Sequence, residues 1–194
     1  TLKQAKRFQD LGYNVFLADI YGAGVRPKDA AEAGKQATIY KSDRKLFRQR
    51  IDLAYQEMLK QKSVDANQTA ILGYCFGGTA ALESARSNSK LKAAISFHGG
   101  LDSLNPAEGA NIKSHVLVLH GANDPYVAAK DLEAFEKELR DHKVQFELIK
   151  FSNAVHSFTE VGAGDDNSKG AAYNKIADEK SFQYAKTFLA DSFK

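Results

Sequence analysis

The chain has 194 residues, enough for one globular domain with a sizeable core. Its net charge is +3, and the basic residues are scattered among acids and apolar positions, so no nucleic-acid partner is expected. No apolar run approaches the ~20 residues of a bilayer span, so no membrane partner is expected either. The single cysteine excludes an intramolecular disulfide and favours a reducing, cytoplasmic location.

Helix-like and strand-like patterns alternate from the start of the chain. Apolar residues in 2–11 recur at helical spacing, and Gly12 suits a left-handed helix end. An unbroken apolar run at 15–18 predicts a buried strand, and glycine and proline predict a loop over 21–29. A charged helix should follow, with one apolar stripe made of Phe47, Ile51, Ala54, Tyr55 and Met58.

The alternation continues to the C-terminus. Helices are predicted over 77–86, after the GANDP turn, and at the end of the chain, with residues 162–170 as an exposed loop. This order predicts an α/β fold in which a mostly parallel sheet carries helices on both faces, in a single domain over 1–194. The strands of that sheet are predicted at 15–18, 69–73, 91–97, 115–119 and 146–151.

The segment G-x-C-x-G-G, centred on Cys75, leads from a predicted strand directly into a predicted helix. This is the pattern of a nucleophile elbow with cysteine in the place of serine. Such a turn holds its nucleophile in a strained backbone conformation, and Gly73 and Gly77 are predicted where side chains would collide. The N–H of Phe76 is predicted to face a developing oxyanion. By itself, however, Cys75 is as easily a small buried apolar residue.

Asp124 and His156 each follow a predicted strand. Alone, Asp124 before a proline is a good turn and His156 is a structural histidine. Together with Cys75 they appear in the order nucleophile, acid, histidine, which is the order of the α/β-hydrolase fold. The sequence therefore predicts a catalytic triad at one edge of the sheet. His98, in His-Gly-Gly, is interpreted as a strand-end turn at the lining of the pocket.

The segments GYCFGG, HGANDPYV and AVHSF resemble those of dienelactone hydrolases, also called carboxymethylenebutenolidases, and SFHGGL and the final AYN…A…F pattern are similar too. The resemblance implies an α/β-hydrolase fold that cleaves a small carboxylic ester or lactone through an acyl-enzyme. It implies Cys75 as nucleophile, His156 as general base and acid, and Asp124 as the group that orients the histidine. It implies no metal and no organic cofactor.

Two departures from the family pattern affect these expectations. Dienelactone-cleaving members carry an arginine two residues after His-Ser-Phe, where this chain has Thr159 and then Glu160, so dienelactone itself is not the expected substrate. The resemblance also implies three strands, and a loop with a second oxyanion donor, before the first helix. We therefore expect about 40 further residues before Thr1, so export stays open. The sequence predicts no oligomeric state.

Two other functions are compatible with the sequence. Glutamine amidotransferases share a G-x-C-x-G elbow but place a glutamate two residues after the histidine, where this chain has Phe158. Alternatively, a degenerate hydrolase would use Cys75 in a non-catalytic binding or thiol redox module. Glutaminase activity would favour the first rival, and the absence of a Cys75-dependent burst with an activated ester would favour the second.

Overall fold

A computed structural model describes residues 2–88 and 90–194 of the chain. These residues divide into two compact units, one that ends at Gln68 and one that begins at Thr69. Cys75, Asp124 and His156 all belong to the second unit. The expectation of a single domain over residues 1–194 stays a prediction.

The first unit is helical, with α1 (Leu2–Gln9), α2 (Ala30–Ser42) and α3 (Arg44–Leu59). Each of the last two helices begins at an aspartate that accepts a hydrogen bond from a backbone N–H in the first turn. Helix α3 is the predicted charged helix. Helix α2 was not predicted, because its residues show no clear apolar stripe. The buried apolar side chains of this unit are Phe8, Tyr40, Phe47 and Ile51.

The predicted strand at 15–18 is wrong, because the backbone there has no strand structure. The side chains of Val15, Phe16 and Leu17 are 41%, 39% and 43% exposed. An apolar run reflects a preference for burial, but a strand also needs a neighbour that pairs with its N–H and C=O groups. Within the described residues, every strand lies between Ala70 and Phe151, and none pairs with this segment.

A four-stranded parallel sheet forms the centre of the second unit, with neighbouring strands in chain order. Its four strands match those predicted after residue 68, and their parallel arrangement is confirmed. Helices α4 (Phe76–Ser87), α5 (Ala129–Asp141) and α6 (Lys175–Ser192) follow β1, β3 and β4 along the chain. Throughout residues 2–88 and 90–194, no helix has the length and apolar character needed to cross a bilayer. The strands are β1 (Ala70–Tyr74), β2 (Ala93–Phe97), β3 (His115–Gly121) and β4 (Phe146–Phe151).

Helices cover both faces of the sheet. On one face, Val116 of β3 packs in a core cluster with Leu82 of α4 and Phe135 of α5. On the other face, the ring of His115 contacts Phe188 of α6, with ring centroids 6.4 Å apart. Adjacent strand residues point to opposite faces, so α6 lies opposite α4 and α5. The loops after parallel strands meet at their shared carboxyl edge, where α/β folds bind ligands.

A buried ion cluster joins α4 to α5. The guanidinium of Arg86 contacts Glu83 at 3.0 Å and Glu138 at 2.7 Å, and all three side chains are about 1% exposed. Arg86→Met should lower the free energy of unfolding by about 3–5 kcal/mol, because two buried carboxylates lose their shared cation. Urea unfolding measures this change. Lys137→Met, which breaks only an exposed pair with Asp141, is the control and should leave the midpoint unchanged. Equal midpoints for the two variants would contradict the prediction.

Candidate active site

Cys75 occupies the single position between β1 and α4. Its backbone has φ 52° and ψ −119°, a region that residues other than glycine rarely adopt. Its carbonyl accepts hydrogen bonds from the N–H groups of Gly78 and Thr79, so the helix begins immediately after the strained residue. The strand, turn and helix that the sequence predicts are therefore present, and the thiol lies at the carboxyl edge of the sheet.

Two glycines allow this turn, but one of them differs from the prediction. A Cβ on Gly73 would overlap the backbone of Gly77, as expected. A Cβ on Gly77 itself would meet nothing within 4 Å, so the predicted collision there is wrong. The second crowded position is Gly78, where a Cβ would lie 2.6 Å from Ser96 Oγ and 2.9 Å from Gly99 Cα. The first turn of α4 thus packs directly against the end of β2.

Asp124 and His156 lie next to each other, as the sequence predicts. Asp124 follows β3 and is buried. Its Oδ2 lies 2.9 Å from Nδ1 of His156, and its Oδ1 accepts a hydrogen bond from the Tyr126 N–H at 2.9 Å. The carboxylate is therefore held at both oxygens, and it fixes the direction of the imidazole.

The backbone of His156 is fixed by the segment just before α6. Its N–H donates to the Gly170 carbonyl at 3.2 Å, and its own carbonyl accepts from the Ala172 N–H at 3.0 Å. The ring of Tyr126 stands edge-on to the imidazole, with centroids 5.2 Å apart. Because the side chain of His156 is 20% exposed, the imidazole is both held and accessible from solvent.

A second imidazole, that of His98, also contacts the sulfur. His98 follows β2, is 1% exposed, and has a φ of 41°. Its Nδ1 lies 3.3 Å from Sγ of Cys75, and its Nε2 lies 2.8 Å from Oγ1 of Thr159. The Ser157 hydroxyl lies 3.3 Å from the same sulfur. The sequence predicts His98 in a strand-end turn that lines the pocket but predicts no contact with the sulfur, although its place after a strand was the signal that identified Asp124 and His156.

These contacts set the charges at the site. Burial raises the pKa of the Cys75 thiol, but hydrogen bonds with His156 and His98 outweigh it and bring the pKa to about 5. Burial lowers the pKa of His156, but hydrogen bonds with Asp124 and Cys75 raise it to about 9. At neutral pH the pair is therefore a thiolate and an imidazolium. A thiolate beside a proton donor is an arrangement that suits acyl transfer.

The two residues that depart from the family pattern have different surroundings. Thr159 is buried and orients His98 through the hydrogen bond described above. Glu160 is exposed and accepts a hydrogen bond from the Gly162 N–H at 3.1 Å. The position expected to carry a substrate-binding arginine therefore holds an acid that caps its own turn.

Comparisons with known proteins agree with this architecture. The sequence profile of the dienelactone hydrolase family matches residues 2–193. The crystal structure of a dienelactone hydrolase-like promiscuous phosphotriesterase from metagenomic libraries superposes with a TM-score of 0.92 at 35% identity, covering 99% of this chain and 80% of that one.

Two relatives are similar in sequence. An uncharacterized Caenorhabditis elegans protein is 30% identical over 149 residues, which are 74% of this chain and 92% of that protein. The probable 2-oxo-3-(5-oxofuran-2-ylidene)propanoate lactonase of a Bradyrhizobium species is 29% identical over 159 residues, 77% of this chain and 63% of the lactonase. The chain belongs to the dienelactone hydrolase family and has its α/β-hydrolase fold.

Proposed function

We propose that this protein hydrolyses a carboxylic ester or lactone through an acyl-enzyme on Cys75. Membership of a hydrolase family supports the reaction class. The observation that carries the cysteine mechanism is the position of the sulfur, on a strained turn beside an imidazole that Asp124 orients. A non-catalytic thiol module would not need a carboxylate behind the histidine.

The reaction cycle follows from the assignment of ring nitrogens. Nδ1 of His156 is hydrogen-bonded to the Asp124 carboxylate, so the ring nitrogen that faces Cys75 is Nε2. The thiolate attacks the ester carbonyl, and the imidazolium gives its proton to the leaving alkoxide. The neutral imidazole then takes a proton from water, whose oxygen attacks the thioester. Collapse of that intermediate releases the acid and restores the thiolate.

The oxyanion of each tetrahedral intermediate is assigned to the N-terminus of α4. Phe76 is the first residue of this helix. The N–H groups of a first helical turn point out of the helix end, where the helix dipole is positive. The Phe76 N–H next to Cys75 is thus the proposed donor to the developing negative charge.

The substrate class is narrowed by the nucleophile and by Glu160. Thiolates leave as readily as they attack, so activated esters and strained lactones suit this site better than ordinary alkyl esters. A carboxylate near the loop after His156 discourages an anionic substrate. Uncharged lactones and activated esters are the proposed substrates.

Phosphotriester hydrolysis is a second candidate activity. It is favoured by the 35% identity, over 99% of this chain, to a protein described as a promiscuous phosphotriesterase. A phosphotriester is also uncharged, and attack by the same thiolate would give a phosphorylated Cys75 and an alcohol.

A substrate panel with and without thiol alkylation tests the proposal. The panel contains p-nitrophenyl acetate, an uncharged lactone, a lactone carboxylate and diethyl p-nitrophenyl phosphate. We expect turnover of the first two, which iodoacetamide abolishes because the chain has one cysteine. Turnover of the phosphate ester would add the second activity. If no substrate shows alkylation-sensitive turnover, the hydrolase proposal fails and the binding or redox module is favoured.

The pH dependence of alkylation is a separate prediction. A pKa of about 5 means that the thiolate persists as pH falls from 9 to 6, so the rate of iodoacetamide reaction should change little over that range. The alkylation rate should decrease only when the pH is lowered past about 5, whereas the reactivity of a free cysteine thiol already decreases below about pH 8.5. His156→Gln removes one stabilising hydrogen bond and should move the midpoint upward. A wild-type midpoint near that of free cysteine would contradict the ion pair.

A further inference from the structure

We propose that Cys75, His98 and His156 form a binding site for a thiophilic divalent cation such as Zn²⁺, and that the bound metal inhibits the enzyme. One ligand atom from each residue lies within 4.8 Å of the other two, the only such group found among the described residues. This metal site does not depend on the hydrolytic role, because it needs only the positions of the three side chains.

One of the three ligand separations already fits a zinc site. Tetrahedral zinc with bonds of about 2.3 Å to sulfur and about 2.0–2.1 Å to nitrogen sets S···N near about 3.6 Å and N···N near about 3.3 Å. The sulfur of Cys75 is already 3.3 Å from Nδ1 of His98. The other two separations are at most 4.8 Å, so ring movements on the order of 1–1.5 Å complete the site. A set of one sulfur and two imidazole nitrogens suits zinc and not magnesium or calcium, which prefer oxygen.

Both imidazoles have the outer partners that metal-binding histidines usually have. Nδ1 of His156 is 2.9 Å from the Asp124 carboxylate, and Nε2 of His98 is 2.8 Å from the Thr159 hydroxyl. Such partners fix the tautomer and aim the remaining nitrogen at the metal. In both rings that remaining nitrogen is the one near the Cys75 sulfur.

The site is open to a metal and to a fourth ligand. Cys75 is half-buried and the side chain of His156 is 20% exposed, so an ion can reach the sulfur from that side. The Ser157 hydroxyl, 3.3 Å from the sulfur, or a water can complete the coordination. Because a bound metal occupies the sulfur and the His156 nitrogen together, hydrolysis stops. The expectation that hydrolysis itself uses no metal is therefore unaffected.

Cobalt and zinc titrations of the whole chain, without substrate, test the proposal. Co²⁺ should bind with one equivalent, give the near-ultraviolet absorption of a cobalt–thiolate bond, and be displaced by Zn²⁺. Cys75→Ser and His98→Gln should weaken Zn²⁺ binding by about 100-fold or more, and Thr159→Val by about 10–100-fold. His115→Gln, on the far end of β3, is the matched control and should bind as wild type.

Protection of the cysteine tests the site without any variant. Zn²⁺ should slow the reaction of wild-type Cys75 with iodoacetamide at least tenfold, and EDTA should restore the original rate. Metal binding without thiolate absorption, equal affinity in the variants and the control, or an unchanged alkylation rate in excess Zn²⁺ would each overturn the proposal. Because these readouts need no turnover, their failure is distinct from failure of the hydrolase assignment.

Discussion

Replacing Cys75 with alanine should reduce kcat/KM for p-nitrophenyl acetate by about 10⁴- to 10⁶-fold, because members of a nucleophile and base pair act as a unit. The Ser157 hydroxyl lies 3.3 Å from the sulfur, but an alcohol is a much weaker acid than a thiol and stays protonated at a pH where the Cys75 thiol is ionised. Initial rates over a range of ester concentrations measure the loss.

The matched control for this variant is Ser87→Ala, which also removes one small polar atom. Ser87 is the last residue of α4, the helix that begins directly after Cys75. Circular dichroism and the urea midpoint should show both variants folded. The control should keep wild-type activity. If Cys75→Ala stayed within tenfold of wild type while folded, the sulfur would not be the nucleophile.

Replacing Asp124 with asparagine should lower kcat/KM by about 10⁴-fold with little change in fold. The substitution keeps the shape of the side chain, and its Oδ1 can still accept the Tyr126 N–H. It removes the charge that stabilises the His156 imidazolium and offers an amide N–H where the histidine needs an acceptor. The ring then adopts the wrong tautomer for proton transfer with the thiol.

The pH profile separates this effect from a general loss of stability. Asp124 raises the pKa of His156, so the alkaline limb of kcat/KM, near pH 9 in wild type, should move to lower pH in Asp124→Asn. Asp141→Asn, an exposed acid on α5, should leave both rate and limb unchanged. An unshifted alkaline limb in the Asp124 variant would contradict the proposed pairing of acid and histidine.

The parts of the fold that the sequence predicted are those encoded by local pattern. The unbroken apolar run of β3 and the alternation around it require burial on both faces, and the structure places that strand inside the sheet. Residues 15–18 carry a similar run but make no strand pairs in the described structure. Side-chain pattern records burial preference, whereas strand pairing depends on a neighbour elsewhere in the chain.

In the candidate site, too, local pattern predicts some features and tertiary contacts decide the others. Cys75, Asp124 and His156 were predicted because each follows a strand in a recognisable order, and the structure brings all three together. The contact of His98 with the sulfur was not predicted because it depends on register, through the hydrogen bond from the His98 N–H to the Leu119 carbonyl at 2.8 Å. Likewise, only the approach of α4 to the end of β2 shows that Gly78, not Gly77, is the crowded glycine.

The most direct test of the account is to trap the intermediate. The wild-type chain is mixed with excess p-nitrophenyl acetate, quenched in acid within the burst phase, digested, and analysed by mass spectrometry. We expect one acetyl group on the peptide that contains Cys75 and none on that peptide in Cys75→Ala. Ester turnover with no acetyl group on Cys75, or with the label on Ser157 instead, would contradict the thiolate mechanism.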